Sequence, residues 1–309
     1  MKPFKLKPYY AEYLWGGRKL KEGYGKTGAP GMLAESWELS ARPGRACTID
    51  GGEFDGMGFD SFVREHPGSC RPLLPGGEFP LLIKLIDANK TLSIQVHPGD
   101  AYARAVENSM GKTELWIVLE CEQDAFIYHG FKRPVTKDEA ARVIADGSIA
   151  DVLRAVPVKP GDVFFIPSGT VHALGAGVVI AEIQQNSDAT YRVYDFGRVD
   201  SDGKPRELHV EKALDVMLLT PSADADTRAG DSAGEFEELV SCEYFKAARL
   251  RLNGSYEYKN KGGFAAVLCV DGSAAVEGVE LRKGGTVFIP SDAGCVVIEG
   301  AGEFIITRP

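Results

Sequence analysis

Four side chains have the types and spacing of a metal-binding set: Gln95, His97, Glu114 and His172. Gln95 and His97 are two apart in the run Thr91-Leu92-Ser93-Ile94-Gln95-Val96-His97, so on a strand they point the same way and can grip one ion. Glu114 is the only acid in Gly111-Lys112-Thr113-Glu114-Leu115-Trp116 and opens the next strand-like row. His172 ends a segment with glycine at 161, proline at 167 and glycine at 169. The first glycine launches a strand, Pro-x-Gly makes a tight turn, and the histidine comes back on the returning strand. Two imidazole nitrogens, a carboxylate and an amide oxygen around an open position suit a catalytic Zn²⁺, with Mn²⁺, Fe²⁺ and Co²⁺ as alternatives. Gln95 has a second role open to it, a hydrogen bond to a ligand rather than to the ion.

The elements that must position these groups are mostly short strands. Residues 80–97 read as two strands with a turn at Asp87-Ala88-Asn89-Lys90. Leu92, Ile94 and Val96 are expected on one face of the second, with Ser93, Gln95 and His97 on the other. Asp100 is expected to cap a short helix ending before Gly111. The strand from Glu114 to Leu119 puts Glu114, Trp116 and Val118 on one face, with Lys112 two residues ahead on the same side. Thr136 to Glu139 is a capping box opening a helix toward residue 155. Pro160-Gly161-Asp162 turns the chain into the buried strand Val163 to Ile166. A strand from Val178 to Asn186 carries Glu182, Gln184 and Asn186 on one face. Val210, Ala213, Leu214, Met217 and Leu218 have helical spacing, residues 221–234 read as a linker, and the rest is strand and turn. Lys159 to Ser168 is echoed by Lys283 to Ser291, which implies two related β-domains.

The 309 residues suffice for two modest domains, and 36 glycines among short Val, Ile and Phe runs suit many strands and turns. A net charge of −9 argues against nucleic-acid partners and anionic membranes, so any anion site must be local. No stretch is long and apolar enough to span a bilayer, and the start has no apolar leader core. Six scattered cysteines without a CxxC pair read as reduced thiols in a cytoplasmic protein.

The segment from Gly161 to His172 resembles the second motif of the cupin superfamily. Beyond it, Leu14-Trp15-Gly16-Gly17, Ala34 to Ser40, Thr91 to Pro98, Gly111 to Glu114, Pro167 to Ala173 and Gln184 to Arg192 together resemble the type I mannose-6-phosphate isomerases. The likeness runs in order from about residue 3 to 220, and the length resembles the compact bacterial branch. It implies a mainly β chain of two cupin-type jelly rolls, with a few helices inserted in and after the first. The expected division is a catalytic domain over 1–220, a linker over 221–234 and a degenerate jelly roll without metal over 235–309. In that last part Cys295 stands where the echo would place a counterpart of His172. The resemblance also implies a zinc enzyme, one ion per chain, held by Gln95, His97, Glu114 and His172, with Arg192 in the active site. Gln95 in place of a first histidine, and the long gap from His97 to Glu114, depart from the general cupin pattern in the way these isomerases do.

The activity so implied interconverts mannose 6-phosphate and fructose 6-phosphate through an enediol. It needs a base at carbon, a stabiliser for the growing oxyanion and a hold on the phosphate. Glu182, flanked by apolar Ala181 and Ile183, is the candidate base. Arg192 can bind an enediolate or a phosphate with paired bonds, and Arg198 can assist. Lys112 and Ser93 are candidate substrate contacts, the phosphate among them. Trp15, Glu35 and Trp37 wall the sugar site on the resemblance alone. Two rival readings are an Fe²⁺ cupin that activates O₂ and a cupin that binds sugar phosphates without turning them over; neither the oligomeric state nor the native metal is legible.

Overall fold

Three antiparallel sheets organise residues 1–29, 31–199, 202–222 and 235–309, the part of the chain that the computed structural model describes. From residue 223 on, the expected linker lies outside the described residues. The first sheet has six strands in the order Val163–Ile166, Glu114–Cys121, Val178–Gln185, Leu81–Ala88, Glu35–Leu39, Tyr9–Ala11. The second has five, in the order Tyr191–Tyr194, Ile94–Val96, His172–Leu174, Phe126–Phe131, Leu153–Pro157. Their inner faces share one core, Ile86, Trp116, Val118 and Ile180 of the first against Ile127, Val156 and Leu174 of the second. They are therefore the two halves of a jelly roll.

Leu81–Ala88 and Val178–Gln185 are buried at every position, because the six-stranded sheet is covered on both faces. Alternation then sorts the side chains. Ile83, Leu85, Ala181 and Ile183 point out of the roll into a second core with Phe4, Phe62, Phe264 and Phe288. Phe59 and Phe288 meet edge to face there, centroids 5.0 Å apart. On the opposite flank, helices Lys137–Ala145 and Val210–Val216 cover Ile94, Val96, Ala173 and Val193.

The third sheet is built on three long strands, Lys246–Lys259, Ala265–Val276 and Cys295–Arg308. Around them closes an apolar core of Leu250, Val267, Val287, Val296, Ile298 and Phe304. Phe4–Lys7 and Thr48–Asp50 belong to this same sheet, with Phe4 paired to Phe288. Both echoed segments are strands after a glycine turn, Val163–Ile166 and Thr286–Ile289. Cys295 is exposed, however, whereas His172 is fully buried.

Three local expectations change. Asp100 does not cap its helix: Gly99 holds the capping position, and the Asp100 carboxylate accepts from the Gly111 amide at 2.7 Å instead. The helix opened by Thr136 stops at Ala145, followed by a Gly147 turn, a short 3₁₀ turn and the strand Leu153–Pro157. The ladder at Gln95 begins only with Ile94, so Leu92 is free of strand alternation and faces the inner core with Ser93 rather than joining Ile94 and Val96.

One buried ion pair lies at the contact between the jelly rolls. Lys26 Nζ lies 2.7 Å from Glu38 Oε1 and donates to the Gly284 carbonyl at 2.6 Å, with both charged side chains almost fully buried. Breaking such a pair leaves one charge buried without compensation. Lys26→Met should lower the unfolding free energy by about 3–5 kcal/mol, read by urea denaturation, and Lys26→Met/Glu38→Leu should recover most of the loss. A Lys26→Met variant as stable as wild type would show that the buried pair contributes little to the fold.

Candidate active site

Register across the strands explains why the polar groups gather. In the five-stranded sheet Arg192, Gln95, His172 and His129 form one lateral row, each the Cα partner of the next. In the six-stranded sheet Trp116, Glu182, Lys84 and Trp37 form another, with Glu114 beside Gln184 one step along. These rows face each other across the roll near one end. Toward the other end the same inward positions hold Val118, Ile180, Leu174 and Val178.

His97, Glu114 and His172 meet with their ligand atoms within 4.8 Å of one another, all three buried. His97 Nδ1 is 2.9 Å from the Ala189 carbonyl and His172 Nδ1 is 2.9 Å from that of Thr170. A carbonyl only accepts, so each Nδ1 carries the proton and each Nε2 turns a lone pair inward. His172 Nε2 lies 3.3 Å from Glu114 Oε1, and His97 Nε2 lies 3.6 Å from Glu114 Oε2. The Gln95 amide ends 3.5 Å from His172 Nε2, and turning the amide over presents its oxygen to the same point.

The electrostatics of this pocket fit a dication. His97 Nε2 and both Glu114 oxygens are buried without a hydrogen bond, although Lys112 Nζ comes to 3.1 Å of Oε2. Burial pushes the Glu114 carboxyl up to about 7 against the pull of the Lys112 ammonium. Burial likewise drives His172 down to about 3, and His97 well below its ordinary value, with the Lys112 charge adding to both. Neutral imidazoles and an underserved carboxylate are what a metal needs and what a proton-loaded site would lack.

Gly169 holds the two histidine segments in place. Its amide donates to the His97 carbonyl at 2.8 Å, its φ is +88°, and a Cβ there would meet the Val216 carbonyl at 2.9 Å. The Pro-x-Gly turn thus joins His97 to the strand that brings back His172.

Above the metal group opens a cleft of about 330 Å³. Of the residues expected from sequence, Trp15, Glu35, Trp37, Ser93, Gln95, Lys112, Glu182 and Arg192 line it. Trp15 is placed by Gly17, which packs so closely on Asp87 that a Cβ would lie 2.3 Å from its carboxylate. Glu182 accepts from Trp116 Nε1 at 3.1 Å and pairs with Lys84 Nζ at 3.2 Å. Burial works to raise its carboxyl, but the Lys84 and Lys112 charges prevail and hold it well below the usual carboxylate range. Arg192 donates to Ser93 Oγ and to the Glu207 carbonyl, at 3.2 and 2.9 Å.

Arg198 is not brought to this cleft. Asp195 and the Thr91 carbonyl capture its guanidinium, and it lines a neighbouring apolar-walled depression instead. Three cleft cations escaped the sequence reading: Lys84, Arg45 and Arg206. Lys84 had a signal, a lone charge inside the apolar run Leu81 to Ile86; Arg45 and Arg206 had none.

His172→Ala should remove a ligand without touching the outer core. Metal analysis of protein purified without chelator should find one divalent ion per wild-type chain and several-fold less in the variant. Full retention of metal by the variant would place the ion elsewhere.

The geometry has counterparts among known proteins. Residues 3–125 match the model of the phosphomannose isomerase type I catalytic domain, and residues 235–309 match that of the mannose-6-phosphate isomerase cupin domain. The mannose-6-phosphate isomerase ManA of Bacillus subtilis is 36% identical over 99% of this chain and 98% of its own length. The mannose-6-phosphate isomerase of Streptococcus mutans is 35% identical, over 99% of this chain and 98% of its own length. The crystal structure of the Bacillus subtilis mannose 6-phosphate isomerase superposes with a TM-score of 0.92 at 33% identity, covering all of both chains. A phosphomannose isomerase variant from Salmonella typhimurium shares the fold at 18% identity, with a TM-score of 0.79 over 100% and 99% of the two chains. With relatives this similar along its whole length and this site at its centre, the chain belongs to the type I mannose-6-phosphate isomerase family.

Proposed function

We propose that this protein is a zinc-dependent isomerase that interconverts mannose 6-phosphate and fructose 6-phosphate, with one ion per chain. The observation that supports it best is a buried His97–Glu114–His172 group at the foot of a cleft walled by Trp15, Trp37 and several cations. Gln95, His97, Glu114 and His172 would hold the ion, and when bound it supplies a Lewis acid for the oxygens at the reacting carbons.

The chain's own residues do the rest. Glu182 is ionised at neutral pH, its Oε2 fixed by Trp116, and it takes the proton from one carbon and returns it to the next. Lys84 holds that carboxylate from behind and sits over the Trp37 ring, 4.9 Å from its centroid. Lys112, next to Glu114, places a positive charge where the enediolate oxygens develop. Arg192 reaches the cleft from the opposite sheet. Residues 235–309 carry no metal in this reading and brace the catalytic roll, a role supported by their apolar interior and by the outward-facing Cys295. Among the described residues no helix is long and apolar enough to cross a membrane. A cytoplasmic setting is part of the proposal, supported by six unpaired cysteines.

A coupled assay should detect turnover of mannose 6-phosphate that chelator abolishes and Zn²⁺ restores. Oxygen uptake with added Fe²⁺, or hexose-phosphate binding without turnover, would overturn the reading in favour of a redox or a binding cupin. Glu182→Gln should lower kcat by roughly 10² or more while KM moves little, the signature of a proton-transfer group. If KM alone rose, Glu182 would be a binding residue.

A further inference from the structure

We propose that Arg206, together with Arg192, grips the 6-phosphate at the mouth of the cleft, and that Asp195 aims Arg206 for that task. The assignment rests on the isomerase reading and adds to it the residue that selects a phosphorylated sugar.

The two ends of the cleft differ in the state of their cations. Lys112 and Lys84 stand at the reacting end and are already engaged, Lys112 with Glu114 at 3.1 Å and Lys84 with Glu182 at 3.2 Å. A phosphate bound there would occupy the place of the carbons that must exchange a proton. The 6-phosphate hangs from the far end of the sugar chain, so its partners must lie away from Glu114.

Arg192 and Arg206 meet that requirement. Arg192 uses Nε on Ser93 Oγ and Nη1 on the Glu207 carbonyl, and among the described residues no carboxylate pairs with it. Arg206 donates through Nε and Nη2 to the two Asp195 oxygens, at 2.7 and 2.6 Å. Among the described residues, Arg192 Nη2 and Arg206 Nη1 have no protein partner, and both side chains line the same cleft. Burial and then the nearby Arg206 charge hold the Arg192 guanidinium below its ordinary value, a repulsion that a bound dianion relieves.

Asp195 does not cancel this positive charge. It is buried and shared, since Arg198 donates to it as well, so one carboxylate serves two guanidinium groups. The shared carboxylate fixes Arg206 in a planar fork, which lowers the cost of ordering it around a tetrahedral anion. Arg45, by contrast, is exposed and rests on the Trp37 ring, 5.3 Å from its centroid.

The test compares wild type, Arg206→Gln, Arg206→Lys and Asp195→Asn as full-length, metal-loaded proteins. Arg206→Gln should raise KM for mannose 6-phosphate at least tenfold, the scale of one charge-assisted contact, with kcat within about threefold of wild type. Any turnover of unphosphorylated mannose should fall by a much smaller factor than turnover of mannose 6-phosphate, and competitive inhibition by inorganic phosphate should weaken at least tenfold. Arg206→Lys should recover part of the affinity, and Asp195→Asn should lose part of it without loss of thermal stability large enough to unfold the protein. Calorimetric titration with inorganic phosphate gives a readout independent of turnover. If wild type binds phosphate and Arg206→Gln does not, the assignment stands even should the isomerase reading fail. Unchanged phosphate affinity in Arg206→Gln, equal losses for mannose and its phosphate, or no phosphate binding by wild type would each overturn it.

Discussion

Charge inside an apolar roll is the constraint on which this structure turns. Glu114 and Glu182 are both fully buried, and an isolated carboxylate in such a place would take up a proton or destabilise the fold. Lys112 and Lys84, themselves buried, answer them across 3.1 and 3.2 Å. The two pairs are not equivalent. The Lys84 and Lys112 charges, with a hydrogen bond from the Trp116 indole, hold the Glu182 carboxyl below the usual carboxylate range, whereas neither Glu114 oxygen has a hydrogen bond and burial raises its carboxyl. That deficit, facing two inward imidazole lone pairs, makes the His97–Glu114–His172 group consistent with a metal, and the Lys84–Glu182 pair keeps a second carboxylate in the same cleft.

The remaining layers keep these groups in register. The inner positions of the six-stranded sheet run from apolar to charged along its strands, so the roll is packed at one end and reactive at the other. The outer face of that sheet is pressed against the C-terminal roll through a cluster of phenylalanines. Two buried cations cross this contact: Lys26 reaches Gly284, and Arg249 donates to the Gly161 carbonyl at 2.9 Å. Gly161 begins the strand that leads to the Gly169 turn and on to His172, so the second roll bears directly on the placement of His172.

The cleft above the His97–Glu114–His172 group holds cations in two different states. Lys112 and Lys84, each paired with a buried carboxylate, line it together with Arg192 and Arg206, each of which keeps one nitrogen without a partner among the described residues. Aromatic walls, Trp15 and Trp37, supply apolar faces. A net charge of −9 leaves the protein without a long-range field to draw in a phosphate, so recognition must come from this local arrangement.

The local patterns were legible in the chain itself. Gln95-Val96-His97, the glycine-proline-glycine-histidine spacing to His172, and the lone Glu114 carry their geometry locally, because strand alternation and turn chemistry act over a few residues. The β character and the echo at Val287-Phe288-Ile289 were legible for the same reason. Tertiary structure alone decided the rest. Which residues share a lateral row depends on strand register between segments far apart in sequence, as for Lys84, Glu182 and Trp116. Burial turned Lys84 from an ordinary lysine into a partner that sets the charge of Glu182, and Asp195 drew Arg198 out of the cleft while presenting Arg206 to it. No sequence pattern marks such choices, since long side chains go where a buried opposite charge lowers their free energy, and that charge is placed by the fold.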